Sequence, residues 1–225
     1  MSATPLVVSL HLPKTAGTSF AEALRRAYGE GCRIEYVDQP MQRARWRRRW
    51  DALARAVVAR RGLASVSCVH GHFLPTKYRL AVGARPVRYV TWLRDPVERL
   101  ASHYHYWRRD YAGDDPTQPL RNRMLDEDWT FERFALGAEM RDLYHEYLWG
   151  FDPARFDFIG ITERYEQDLA RFAQTFGSGG AFVANVRVNP DRCEERYPIE
   201  AALRARIEAH HARDVALYRW AVERR

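Results

Sequence analysis

The sequence predicts a single α/β domain, a central parallel sheet flanked by helices. Three observations lead there. Short aliphatic and β-branched runs recur along the chain, segments of helical periodicity separate them, and no linker-like stretch divides the 225 residues. Hydrophobic residues at 46% and aromatics at 13% are ample for a packed core and exclude a disordered chain.

Leu6–Leu12 (LVVSLHL) reads as the first strand, closed by Pro13, and Ser19–Tyr28 as the first helix, with Phe20, Leu24 and Tyr28 at i, i+4 and i+8. Further strands are predicted at Arg33–Val37, Ala64–His70, Val87–Leu93 and Phe156–Ile161. Helices are predicted at Met41–Arg61, Pro96–Arg109, Thr130–Leu136, Arg141–Trp149, Glu163–Phe176 and Ile199–Val222. Tyr111–Asp128 is polar, has two prolines and lacks periodicity, so it reads as a surface loop or lid. Val188–Trp220 reads as a cover for the sheet or a ligand, with Asn189 a candidate contact. In such sheets ligands bind beyond the carboxyl ends of the strands, so the loops after Leu12, His70 and Leu93 are expected to converge on one crevice.

The balance of 36 Lys plus Arg against 29 Asp plus Glu gives a charge of +7, a field that attracts anions and leaves nucleotides, sulfated glycans and nucleic acid open. Cys32, Cys68 and Cys193 are widely spaced and form no CxxC pair. Neither a disulfide framework nor a zinc knuckle is expected, and a reducing compartment fits. No basic leader precedes Leu6, the apolar run is too short to span a membrane, and no N-x-Ser/Thr acceptor occurs. These features lead to the expectation of a cytoplasmic, bacterial protein.

PKTAGTSF, Pro13–Phe20, joins strand to helix where free backbone N–H groups and the helix dipole can hold phosphate. Gly17 admits close approach, Thr15, Thr18 and Ser19 add hydroxyls, and Lys14 supplies a charge. The lysine precedes the glycine, which is not the Walker A order. The bland alternative is an ordinary turn capped by Thr18 or Ser19.

The strand Val87–Leu93 runs into Arg94, and Asp95-Pro96-Val97-Glu98 then opens a helix with an N-cap, a first-position proline and a capping-box glutamate. Arg94 and Ser102, about two turns on, could hold one phosphate. The alternative is an ion pair of Arg94 with Asp95 or Glu98. In the middle loop Cys68, His70 and His72 share a face if extension persists through Gly71. Three readings compete there: a catalytic base, metal ligands in Cys-x-His-x-His, and structural histidines. A metal set would need a further ligand that no recognisable spacing provides. An attacking hydroxyl must lose its proton, and histidine suits that task near neutral pH. His72, nearer the strand's exit, is the chosen base, and His70 supports it or contacts the acceptor.

At this point the residues match a known family. PKTAGTSF resembles the 5′-phosphosulfate-binding loop of sulfotransferases that use 3′-phosphoadenosine 5′-phosphosulfate (PAPS), and RDPVERLASHY resembles their 3′-phosphate segment. His70-Gly71-His72 makes the chain look most like the carbohydrate branch that includes heparan sulfate 2-O-sulfotransferase, and Gly160–Leu169 (GITERYEQDL) is similar to a family segment near the nucleotide. The resemblance implies a P-loop-like fold, with Pro13, Lys14, Thr15, Ala16, Gly17, Thr18, Ser19 and Phe20 at the donor's 5′ side. It implies Arg94 and Ser102 at the 3′-phosphate, His72 as base, PAPS as donor and 3′-phosphoadenosine 5′-phosphate (PAP) as product. The acceptor would be a hydroxyl of a carbohydrate or related molecule. Because a sulfuryl group carries fewer negative oxygens than a phosphoryl group, lysine and backbone dipoles could replace a metal, with Lys14 taking the leaving-group charge.

Two further segments carry unusual chemistry. Helix Met41–Arg61 sets Arg43, Arg45, Arg47, Arg48 and Arg49 beside the stripe Trp46, Trp50, Leu53, Val57, which is expected to face the core while the arginines face solvent or a polyanion. His103–Arg109 is expected to line the acceptor side, with His103 or His105 as reserve base. Two other function classes remain at this stage. One is a P-loop-like nucleotide kinase, needing Mg²⁺ and an acidic ligand such as Asp95; the other is a polyanion-binding module on the Arg43–Arg49 face. No nucleic-acid partner or membrane span is expected, and the sequence leaves the acceptor and the oligomeric state open.

Overall fold

A computed structural model of the chain describes residues 5–83, 85–109, 115–176 and 197–224. In chain order its elements are β1 (Leu6–Leu10), α1 (Gly17–Tyr28), β2 (Cys32–Glu35), α2 (Arg45–Arg61), β3 (Cys68–Gly71), β4 (Val87–Leu93), α3 (Pro96–Arg109), α4 (Pro119–Asp126), α5 (Phe131–Leu136), α6 (Leu143–Tyr147), β5 (Phe156–Ile161), α7 (Tyr165–Phe176), α8 (Ala201–His210) and α9 (Ala212–Glu223). The strands form one sheet in the order β2-β3-β1-β4-β5, every pair parallel. The chain leaves β1 toward β2 on one side and β3 toward β4 on the other. The connections therefore diverge between β1 and β3, the switch point at which open α/β sheets bind ligands.

The chain divides into two compact units, Met1–Leu93 with Glu146–Arg187 and Arg94–His145 with Val188–Arg225. The first holds the whole sheet. Val7, Cys68, Val90, Trp92 and Phe158 pack on Phe20 and Leu24 of α1 and on Tyr165, Leu169 and Phe172 of α7. Most alternate positions, among them Leu6, Val8, Leu10, Val69, Tyr89 and Leu93, are buried and apolar too, as parallel strands covered on both faces require. Tyr89 meets Phe151 at 4.7 Å between ring centroids, and its hydroxyl donates to the Tyr78 carbonyl. Burying Phe20 or Phe172, each fully enclosed, is worth about 1.5–3 kcal/mol.

The second unit is helical, with Leu100, Trp107, Met124, Phe134, Tyr144 and Ile207 buried. Asp214 accepts hydrogen bonds from the amides of Tyr144 at 3.0 Å and His145 at 3.1 Å, and burial raises its pKa to about 7 against the pull of Arg99. His211 interrupts the helix expected over Ile199–Val222: its ring is enclosed, Nε2 bonds the Ala135 carbonyl at 2.7 Å and Nδ1 meets the Asp142 amide at 3.2 Å.

Two other expectations are corrected here. The segment expected to be a loop, Tyr111–Asp128, contains α4, which Pro119 opens and which packs through buried Arg121, Asn122 and Met124. The apolar stripe of α2 does not face the core: Trp46 is 71% exposed and Trp50 68%, while Ala52 and Ala56 are buried. Arg48 takes an inward position instead, 12% exposed, because Glu146 lies there to receive it with Arg49, while Arg45 reaches the same carboxylate from the exposed edge. Asn189 and Cys193 lie outside the described residues.

Candidate active site

At the carboxyl end of β1 the chain passes through His11 and Leu12 into the loop Pro13–Ala16, and α1 begins at Gly17. Lys14 and Ala16 adopt positive φ, 66° and 60°. A non-glycine residue in this region costs about 1–2 kcal/mol, and strain of this kind gathers where a loop must turn its amides to a common point. The N-cap of α1 is Ala16, which has no side chain to bond the first amides, so neither Thr18 nor Ser19 closes the helix. A helix start of this kind presents N–H groups and the positive end of its dipole to an anion. Lys14 is half-buried beside it.

The loop residues fare differently as candidate ligands. Thr18 is exposed and Ser19 buried. The Thr15 hydroxyl is enclosed and donates to the Leu12 carbonyl at 2.8 Å, which holds the loop's own shape. Phe20 lies wholly in the core and its amide is spent on the Ala16 carbonyl at 3.0 Å. Its place in the loop's candidate set is therefore that of a core anchor for the start of α1.

Beside this loop stand three imidazoles. The ring of His11 stacks on that of His72 at 4.2 Å and on that of His70 at 5.1 Å. Nδ1 of His11 bonds the Tyr36 hydroxyl at 3.0 Å, and Nδ1 of His70 bonds Ser9 Oγ at 2.8 Å. Nδ1 of His72 lies 2.6 Å from the His11 carbonyl. A carbonyl only accepts, so Nδ1 carries the proton and Nε2 of His72 keeps its lone pair. His70 is fully enclosed, His72 half-buried.

Burial dominates the protonation of all three. It lowers His72 to about 4 against the upward pull of the bond to His11, and with nearby His72 it lowers His70 to about 3. Burial and the neighbouring His72, His70 and Lys14 hold His11 well below its usual value, and burial raises Tyr36 to about 12. The cluster is neutral at pH 7.

Two glycines make this proximity possible. A Cβ on Gly17 would lie 1.8 Å from Nε2 of His11, and one on Gly71 would lie 1.7 Å from the Glu35 carbonyl. The glycine of His70-Gly71-His72 therefore serves the approach of β2, and the His72 amide continues that ladder to the Glu35 carbonyl at 3.0 Å. The Glu35 carboxylate accepts from Lys77 Nζ at 2.7 Å and the Tyr78 hydroxyl at 2.6 Å, which anchors the segment after His72. His11 and Tyr36 escaped sequence reasoning. The signal for His11 was present, since Ser9 and His11 are the polar alternates in an otherwise aliphatic strand.

The remaining predicted residues belong to the helical unit. Arg94 is peptide-bonded to the last residue of β4 and is buried; its backbone N–H and carbonyl both bond the Tyr144 hydroxyl, at 3.2 and 2.8 Å. Asp95 Oδ1 caps α3 by accepting from the amides of Val97 and Glu98. Glu98 departs from the expected capping box: it takes Arg204 at 2.6 Å and the Tyr197 amide at 3.1 Å. Asp95 also pairs with Arg204, at 3.4 Å. Ser102 is half-buried on α3. Of the reserve histidines, His103 is enclosed against Trp107 and Phe134, while His105 is exposed and stacks on Tyr197 at 5.1 Å.

No family model and no curated protein matches the chain. Among solved structures it is similar to a sulfotransferase from Alicyclobacillus acidocaldarius, at 17% identity and a TM-score of 0.45, over 96% of this chain and 94% of that one. It is also similar to mouse sulfotransferase SULT7A1 complexed with PAP, at 13% identity and a TM-score of 0.39; the match covers 92% of this chain and 63% of the mouse protein. Both scores lie below 0.5, too low for either likeness to say what this chain does.

Proposed function

We propose that the chain is a PAPS-dependent sulfotransferase that moves a sulfuryl group to a hydroxyl of a carbohydrate or related acceptor. One observation carries the reading: an imidazole with its Nε2 lone pair available stands, through His11, beside a strained lysine-bearing loop and an uncapped helix start at the switch point of a parallel sheet. An anion-binding loop next to a proton acceptor is what transfer from an anionic donor to a hydroxyl requires.

The roles follow from the chemistry of each group. Lys14 and the first amides of α1 hold the 5′-phosphosulfate and take the charge that collects on the leaving phosphate. Nε2 of His72 accepts the acceptor's proton while Nδ1–H stays on the His11 carbonyl, which fixes the ring. His70 and Ser9 support the cluster from beneath. Arg94 and Ser102, assigned by resemblance, take the 3′-phosphate, for which an arginine fork is suited. No step uses a metal.

The competing classes are less well supported. Asp95, the acidic group a kinase would offer to Mg²⁺, is engaged by two amides and Arg204. A polyanion-binding module leaves the loop and the imidazoles without a role; on the Arg43–Arg49 face Arg43 is paired with Asp51, and Arg45, Arg48 and Arg49 share the one carboxylate of Glu146.

Thermal stabilisation by PAP is to be compared with that by ATP, each with and without Mg²⁺. A ligand at about 100 times its dissociation constant adds about 2.7 kcal/mol. Selective stabilisation by PAP, independent of Mg²⁺, is expected. A preference for ATP with Mg²⁺ transfers the reading to a kinase, and no response to either favours a binding module.

A further inference from the structure

Helix α2 is amphipathic in the reverse of the usual sense. At 100° per residue, Trp46, Trp50, Leu53 and Val57 fall on one line. All are exposed, at 71%, 68%, 47% and 55%, and Val58 beside them is 67% exposed. A different flank of the helix is the one that packs: Ala52 and Ala56 are buried, and the Arg48 side chain, 12% exposed, runs to Glu146. Glu146, Trp149 beneath Arg49, and the pair of Arg55 with Asp38 hold the helix in this orientation. The outward stripe is therefore built in rather than left over from poor packing.

We infer that this face is a docking surface for an anionic lipid bilayer, on which α2 lies in the plane of the headgroups. The charge is complementary: the arginines of α2 outnumber the carboxylates that reach them, with Arg45, Arg48 and Arg49 sharing the single carboxylate of Glu146, and Arg47 is exposed at the edge of the stripe. Tryptophan with arginine alongside is the composition of interfacial helices, in which indoles sit at headgroup depth and basic groups meet lipid phosphate. A bilayer needs no matching groove and accepts one face of one helix.

The test is co-sedimentation of the full chain with vesicles of phosphatidylcholine, with and without about one-third phosphatidylglycerol. Binding is expected to the anionic vesicles, weakened by salt. Trp46→Ser with Trp50→Ser should lower the partition coefficient at least tenfold, and Arg47→Ala about fivefold, the effect of about 1 kcal/mol per basic residue. All three side chains are exposed, so the melting temperature should hold in both variants. No binding to anionic vesicles, or binding that neither variant weakens, overturns the inference. So does a dimer, seen by light scattering, that the tryptophan substitutions dissociate.

Discussion

Gly17→Ala separates two opposed effects by sign. At the first position of a helix, alanine in place of glycine ordinarily stabilises by about 0.4–1 kcal/mol, because the unfolded chain loses freedom. Here the new methyl would lie 1.8 Å from Nε2 and 1.9 Å from Cδ2 of His11. That ring cannot swing aside easily: His72 stacks on it at 4.2 Å and Tyr36 bonds its Nδ1. Overpacking of this kind costs about 1–3 kcal/mol, so a net loss of about 1–2 kcal/mol is expected. For a chain of this size each kcal/mol lowers Tm by about 2–4 °C, giving a drop of roughly 2–8 °C by calorimetry. Removing the obstacle should restore stability. In Gly17→Ala with His11→Ala the methyl occupies space that the imidazole vacated, and the two changes should couple by at least about 1 kcal/mol in urea denaturation. A Gly17→Ala protein as stable as the parent, or strictly additive effects, would refute the packing described here.

Further expectations concern chemistry and pH. His72→Ala should lower sulfuryl transfer by roughly 10² to 10⁴ and leave PAP affinity intact; normal turnover in the purified variant removes His72 as base. Arg94→Ala should weaken PAP binding by about 1.5–3 kcal/mol in calorimetry, the loss of a charged hydrogen bond, and unchanged affinity removes that role. Stability should fall with pH below about 6.5. From the usual histidine value down to about 4, the unfolded chain takes up protons on His11, His70, His72 and His211 that the folded chain leaves bare. Asp214, raised to about 7, has the opposite sign: its contribution is complete below the ordinary carboxylate range and is lost as pH rises through 7. From these groups, four protons against one leave up to about 4 kcal/mol per pH unit, and urea midpoints that stay flat or rise between about pH 6.5 and 5 would contradict the buried cluster.

Much of the frame was legible because it is written in local pattern. The β4 and α3 boundaries agree with the sequence reading, since a β-branched run followed by Asp95-Pro96 specifies a strand end and a helix start within a few residues. The loop Pro13–Phe20 and the pair His70 and His72 were equally visible, one by its glycine and lysine, the other by alternation. What local pattern could not show was pairing over distance. The inward turn of Arg48 on α2 depends on Glu146, about 100 positions away in sequence. Without that carboxylate in view, the tryptophan stripe reads as the buried face. Similarly, His211 gave no sign that its ring would close on the Ala135 carbonyl and break a helix. The His11 ring matters through Gly17, His72 and Tyr36, which only the sheet order β2-β3-β1 brings together.

The protonation state of the cluster bears on how the proposed chemistry would run. An imidazole held at about 4 is unprotonated at pH 7, as a base must be, yet it is weak, and proton acceptance is most effective when the pKa lies near the working pH. Burial is the principal cause of that low value, so a nearby anion would act directly against it. A unit negative charge about 5 Å from an imidazole, at an effective dielectric constant of about 20, is worth about 3 kcal/mol or about 2.4 pKa units. Donor binding at the adjoining loop would therefore lift His72 from about 4 toward neutrality, with Lys14 offsetting part of the gain. The same histidine would be a poor base in the free protein and a competent one only beside the anionic donor, so proton abstraction would wait on the group it serves.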